Sequence, residues 1–316
     1  MAETEKISRL AVQKFQNGDF AAALKDAKTV LAESPNNAMM WQVCGLAAMQ
    51  LGQFQAGLQA LEEALGLCGE DAELLNNIGI AKRRLGDLDG AVDAYSKSIK
   101  LSPELAATHN NLADTLVAQS QWEQAVISFR KALTITPQDV SARFNFANLL
   151  RDMGESVQAC SQYDTLIEQL PGDAEIKWNA ALAYLAAGDW AKGFEYYESR
   201  FELKQMAKPR VPTGIARWQA EPLETKTILI ISEQGFGDLF QMLACASRLT
   251  QRGAKVAVQC HPRLHKLLLA SDLVTRVYDE SGQEVHADYY EWLMSCPGKL
   301  HLQAGDVPTS KPWLAP

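Results

Sequence analysis

"AELLNNIGIAKRRLGDLDGAVDAYSKSIKLSPEL", Ala72–Leu105, reads as two helices joined at Gly86 and closed at Pro103. The pattern recurs along the chain. Pro35, Pro103, Pro137 and Pro171 fall on a 34-residue grid, with Gly69 at the one empty tick, and a fixed period of that length marks a stacked helix-turn-helix array. The grid sets repeats near 4–37, 38–71, 72–105, 106–139 and 140–173, with a sixth from 174 to about 207. Small residues recur where paired helices must approach closely: Ala11, Gly45, Gly79, Ala113, Ala147 and Ala181 in the first helix, Ala23, Gly57, Ala91, Ala125, Ala159 and Gly193 in the second. Trp41, Leu75, Tyr95, Phe129 and Tyr163 fill the alternate holes. The turns "NGDF", "LGQF", "LGDL", "MGES" and "AGDW" supply glycines for the positive φ that ends a helix.

The whole chain has 316 residues, 47% hydrophobic and 22% charged, which is enough for two buried cores. Its net charge of -8 is uneven: residues 1–207 carry 18 Lys and Arg against 27 Asp and Glu, residues 208–316 carry 12 against 11. The one compact basic run, Lys82-Arg83-Arg84, is spread around a helix, so nucleic acid is not an expected partner. Six cysteines without C-x-x-C or framework spacing are expected as free thiols of a reducing compartment. The polar start "MAETEKISRL" lacks an apolar signal core, and no apolar run approaches the roughly 20 residues of a membrane span. A cytoplasmic protein is expected.

The recurring small, aromatic and proline positions resemble the tetratricopeptide repeat over about two thirds of the chain. That resemblance implies a right-handed α superhelix with a concave wall that holds peptides. Asn77, Asn111, Asn145 and Asn179 share one repeat position, so stacking lines them up along that wall. A carboxamide donates and accepts at once and can pair with a peptide group regardless of sequence. The row resembles the asparagine ladder of protein O-GlcNAc transferases, which implies a polypeptide partner. The alternative is that these amides bond water or the adjacent repeat, and Arg9 and Val43 interrupt the row in the first two repeats. Asn76, Asn110, Asp114, Asn148 and Arg151 are further inner-wall candidates, with Asn110 and Asn148 taken as peptide-binding. Phe144, Trp178 and His109 read as repeat core.

After residue 207 the period changes. Residues 208–225 read as a linker, and "TILIIS", "AKVAVQC", "VTRVYD" and "DYYEWLMS" as strands alternating with helices "LFQMLACASRLTQRG" and "HPRLHKLLLAS". Strand alternating with helix predicts a small Rossmann-like α/β domain over 226–316, with a parallel sheet and ligands beyond its carboxyl ends. "EQGFGDL" lies at such an end. The dinucleotide fingerprint is broken there, because Phe240 stands in place of the third glycine, and no P-loop follows.

This segment resembles the N-terminal, acceptor-side half of heptosyltransferase-like GT-B glycosyltransferases, a bacterial type, whose glycine, glycine, acid turn matches Gly235, Gly237 and Asp238. The resemblance implies Asp238 as general base in an inverting transfer to a protein or cell-envelope acceptor, with Glu233, Gln234, Gly235 and Gly237 beside the sugar. Asp238 reads equally as a helix N-cap. Arg200, Trp218 and Pro222 are implied as packing residues of the junction. No donor-binding half is recognisable, so the 316-residue chain is expected to be inactive unless a longer or second chain supplies it, and no cofactor is expected besides that nucleotide-sugar donor. Cys260, His261 and His265 are set aside as a metal site, since Pro262 turns His261 off the face of His265. The sequence thus predicts an interaction scaffold that binds a polypeptide, with end-to-end self-association open, coupled to a truncated glycosyltransferase-like domain.

Overall fold

The computed structural model describes residues 2–204, 211–233, 235–242, 244–279 and 284–306. The chain divides into two compact units, Met1–Leu149 and Leu150–Pro316.

The first unit is helical throughout: α1 (Ala2–Gln16), α2 (Phe20–Glu33), α3 (Ala38–Gln50), α4 (Phe54–Cys68), α5 (Ala72–Arg84), α6 (Leu88–Leu101), α7 (Ala106–Ala118), α8 (Trp122–Ile135) and most of α9 (Val140–Asp152). α1, α3, α5 and α7 each pair with the even helix that follows, each even helix through α6 packs on the next odd one, and α1, α3, α5 and α7 touch in succession as a layer of their own. The small positions are steric requirements. A Cβ at Gly79 would stand 2.5 Å from the Tyr95 ring, and one at Gly45 would stand 2.7 Å from Leu61.

Local chemistry ends and starts these helices where the grid demands. Asp19, Asn37, Asp71, Asp87 and Asp139 each accept from the backbone N–H three residues on, a cap that contributes about 0.5–2 kcal/mol. Gly18, Gly52 and Gly86 take positive φ in the turns, and Ser120 does so at φ 59 in the α7–α8 turn. One periodic device was not foreseen. Trp41 Nε1, His109 Nε2 and Arg143 Nη2, at one repeat position, donate to the carbonyls of Pro35, Pro103 and Pro137 at 2.7, 2.9 and 2.5 Å. The prolines that mark the period are therefore also pinned to the following helix.

The second unit holds α10 (Ser156–Gln169), α11 (Ala174–Ala187), α12 (Trp190–Tyr197) and a 3-10 turn at Glu198–Glu202, then β1 (Ala216–Arg217), β2 (Thr227–Ile231), α13 (Phe236–Met242), α14 (Ala244–Gln251), β3 (Lys255–Gln259), α15 (His265–Leu269), β4 (Arg276–Tyr278), β5 (Tyr289–Trp292) and α16 (Cys296–Lys299). The sheet order is β1-β5-β2-β3-β4, and every pairing is parallel. From β2 the chain steps outward through β3 and β4, then crosses to the far side of β2 for β5. The strand order thus reverses between β2 and β5. Ile228–Ile231 are all buried, as a strand covered on both faces requires.

Ala181 and Tyr197 share one core with Trp218, Ile228, Ile230, Leu249 and Val256, so the last helices are packed onto the sheet. The segment expected to be a linker is part of that sheet. β1 lies within it, Trp218 N donates to Tyr290 O at 2.8 Å, and Trp218 is fully buried while Pro222 is exposed. The helix expected over 239–253 is divided into α13 and α14, with Leu243 outside the described residues. No helix among the described residues is long and apolar enough to cross a membrane.

Candidate functional site

On the odd-helix face of the first unit, Asn77, Asn111 and Asn145 are half-buried. Asn111 Nδ2 donates to Asn76 Oδ1 at 2.9 Å. Asn145 Nδ2 donates to both carboxylate oxygens of Asp114, at 3.1 and 3.3 Å. A carboxylate only accepts, so this contact fixes which way the Asn145 amide faces. The adjacent-repeat bonds weighed from the sequence are therefore present at two rungs, and each amide keeps a second N–H. Arg83 Nη1 stands 3.5 Å from Asp114 Oδ2. Burial pushes the Asp114 carboxyl up, with the Arg83 charge and the Asn145 hydrogen bond acting against it. Asn110 and Asn148 are half-buried on the same face.

Asn179 lies in the second unit. Its Oδ1 accepts from Arg151 Nη1 at 2.6 Å and its Nδ2 donates to Glu175 O at 2.9 Å, so both ends of this amide are engaged. Trp178 packs against Tyr197 at 4.7 Å between centroids, the rings tilted by 45°, and belongs to the core edge.

At the carboxyl end of β2, Asp238 is the third residue of α13 and half-buried, inside the first turn rather than at the cap position. Gly235 and Gly237 are exposed. A Cβ at Gly237 would meet nothing within 4 Å and one at Gly235 would meet Asp238 Oδ2 at 3.6 Å, so packing does not demand glycine at either place. Gln234 lies outside the described residues. Glu233, expected beside a ligand, is turned inward. Its side chain is 5% exposed, and its Oε1 accepts from Arg200 Nη2 at 2.7 Å and from Met294 N at 3.1 Å.

That contact opens a network of three cations and three acids where the strand order reverses. Arg200 also donates to Glu198 Oε1, Ser295 Oγ and Tyr197 O, and its guanidinium lies 4.0 Å from the Phe201 ring centroid. Arg217 bridges Glu198 and Glu291 at 2.7 and 2.9 Å. Lys299 Nζ lies 3.2 Å from Glu291 Oε2, an ion pair without directed hydrogen-bond geometry. Burial pushes Glu233 up against the pull of Arg200. Burial also raises Glu198, but hydrogen bonds from Ser295 and Arg217 and the charges of both arginines outweigh it and hold this carboxyl low. The sequence reading found Arg200 and Glu233 separately but missed their pairing, along with Glu198, Arg217, Glu291, Ser295 and Lys299. The signal for Glu291 was present: it is an acid inside the apolar strand "YYEW" and is fully buried. A cavity of about 440 Å³ adjoins the network, walled by Trp190, Phe194, Pro297 and Leu302, with Glu198 and Ser295 at its polar side.

His261 Nδ1 accepts from Arg263 N, and His265 Nε2 meets Cys260 O at 3.3 Å. Among the described residues no three metal donors converge.

Two tetratricopeptide repeat family models match this chain, one over residues 70–138 and the other over 9–72 and 144–200. The helical part of the chain is a tetratricopeptide repeat array. Among solved structures, the array is similar to PilF of Pseudomonas aeruginosa, at 18% identity and TM-score 0.57 over 65% of this chain and 93% of that one. PilW, a type IV pilus biogenesis factor, gives 18% and 0.58 over 65% and 96%. A tetratricopeptide repeat protein from Parabacteroides merdae gives 19% and 0.55 over 66% and 82%. At such identities the likeness is one of fold. No curated protein matches the sequence, and the comparisons lend the glycosyltransferase and O-GlcNAc transferase resemblances no support.

Proposed function

We propose that this protein is an interaction scaffold whose tetratricopeptide array holds an extended polypeptide along the odd-helix face, with Asn77, Asn111 and Asn145 bonding its backbone. The observation that carries this reading is the orientation of the amides. Asn76 and Asp114 hold Asn111 and Asn145 in place through one N–H each, so little rotamer freedom is lost when a peptide group arrives. Asn110 and Asn148 widen the same face, and Asn179 continues the row in sequence. The test is panning of a phage-displayed random 12-residue peptide library against the full chain. Wild type should enrich peptides, and Asn111→Ala with Asn145→Ala should lose them while keeping its far-ultraviolet spectrum. Equal enrichment by the double variant would refute the amide row as the binding element.

A second reading is favoured by one observation, the reversal of strand order between β2 and β5, the place where Rossmann-type sheets hold ligands. In it, residues 226–316 form the acceptor-side half of a GT-B glycosyltransferase with Asp238 as base, Gly235, Gly237 and Gln234 beside the sugar, and the donor held by a half on a longer or second chain. Calorimetry with UDP-, GDP- and ADP-sugars tests where the donor is held: no heat is expected from these 316 residues alone, and heat with any of the three would overturn the assignment of the donor to another half.

A further inference from the structure

Asp114 is the one acid among the half-buried polar residues described on the odd-helix face, and it stands in the middle of the amide row. Its side chain is 21% exposed, within reach of an incoming group. An ionised carboxylate offers about four acceptor sites, and here one amide nitrogen straddles both oxygens at 3.1 and 3.3 Å. The Arg83 nitrogen at 3.5 Å is beyond the roughly 2.7–2.9 Å of a strong charge-assisted bond. The carboxylate thus keeps acceptor capacity beyond the Asn145 amide and its long ion pair with Arg83, and burial dominates the upward shift of its pKa. The Arg83 side chain is 37% exposed, so its charge is shared with solvent.

We propose that Asp114 recognises a Lys or Arg side chain of the extended polypeptide held on this face. This rests on the scaffold reading above. Asn111 and Asp114 are three residues apart on α7, hence neighbours on one helix face at about 5–6 Å, so a cation seated on Asp114 leaves its own backbone within reach of Asn111 on one side and Asn145 on the other. The net acidity of residues 1–207, 18 Lys and Arg against 27 Asp and Glu, attracts the same class of partner at longer range.

The experiment uses the full chain and the same random 12-residue library. Wild type should enrich peptides with Lys or Arg at one fixed place, and Asp114→Asn, which preserves the bond from Asn145, should enrich peptides without that preference. For a synthetic copy of one selected peptide, replacing the basic residue by norleucine should weaken binding to wild type about tenfold and binding to the Asn variant by under about twofold, the difference being the coupling between the pair. Enriched peptides with no basic residue, or equal discrimination by the Asn variant, would overturn the proposal while leaving the scaffold reading intact. If wild type enriches no peptide, both fall. Thermal melting of Asp114→Asn separates loss of recognition from loss of fold.

Discussion

Arg200 Nη2 lies 2.7 Å from Glu233 Oε1, and neither side chain is more than 5% exposed. The pair ties the end of the last repeat to the end of β2, at the point where the strand order reverses. Removing one member of a buried ion pair leaves an uncompensated charge and costs about 3–5 kcal/mol, whereas removing both costs less. Arg200→Ala should therefore lower the urea midpoint of the second unit substantially, and Arg200→Met with Glu233→Met should recover part of the loss. An Arg200→Ala variant as stable as wild type would show the network to be dispensable.

Ser120 adopts φ 59 where Gly18, Gly52, Gly86, Gly154 and Gly188 occupy the corresponding turns of other repeats. A left-handed conformation costs a residue with a Cβ about 1–2 kcal/mol, a cost that glycine does not carry. Ser120→Gly should raise stability by up to about 1 kcal/mol, less than the full strain because glycine is also freer when unfolded. A melting temperature equal to or below that of wild type would contradict this.

The helical array was legible because its signals repeat. A single Gly79 says little, but Gly45, Gly79 and Gly193 at one-repeat multiples of two positions state that two helices touch, and the Cβ clashes bear that out. The alternating strands were legible from apolar runs such as "TILII". The charge network was not, because its bonded partners are separated by up to 97 residues, as in Glu198 to Ser295, and neither burial nor pairing follows from spacing. The same limit hid the commitment of Glu233: a strand-end acid looks alike whether it faces solvent or an arginine from another element.

Two acids of that network, Glu198 and Glu233, respond to pH in opposite directions. Glu198 is held low in the fold by Ser295, Arg217 and Arg200 despite burial, so its stabilising contribution is present above the unfolded glutamate value of about 4.3 and is lost as pH falls through the lower folded value. Glu233 and Asp114 are raised, so their folded forms bind protons more readily than the unfolded chain, and their contributions grow as pH falls through the raised values. Glu198→Gln should therefore destabilise the protein at pH 7 and flatten its loss of stability as pH falls below the unfolded glutamate value of about 4.3. Urea titrations at pH 7, 5, 4 and 3 measure this. A Gln variant with the wild-type slope would assign the acid sensitivity elsewhere.

Gly79 and Gly237 both sit in helices, and their surroundings predict opposite results for the same substitution. A methyl group at Gly79 would stand 2.5 Å from the ring of Tyr95, which is fully buried and has no room to withdraw, so Gly79→Ala should cost about 1–3 kcal/mol by overpacking. Tyr95→Leu in the same chain should relieve part of that cost. At Gly237 the methyl group would meet nothing within 4 Å, and replacing a helical glycine gains about 0.5–1 kcal/mol in chain entropy. Gly237→Ala should therefore stabilise α13. If it does, glycine at this position is not needed for folding, and whatever requires a bare backbone there lies outside the chain itself. If it destabilises, the turn is held by a packing demand that the exposed geometry of Gly237 does not account for, and the second reading loses the structural basis for placing a ligand beside it.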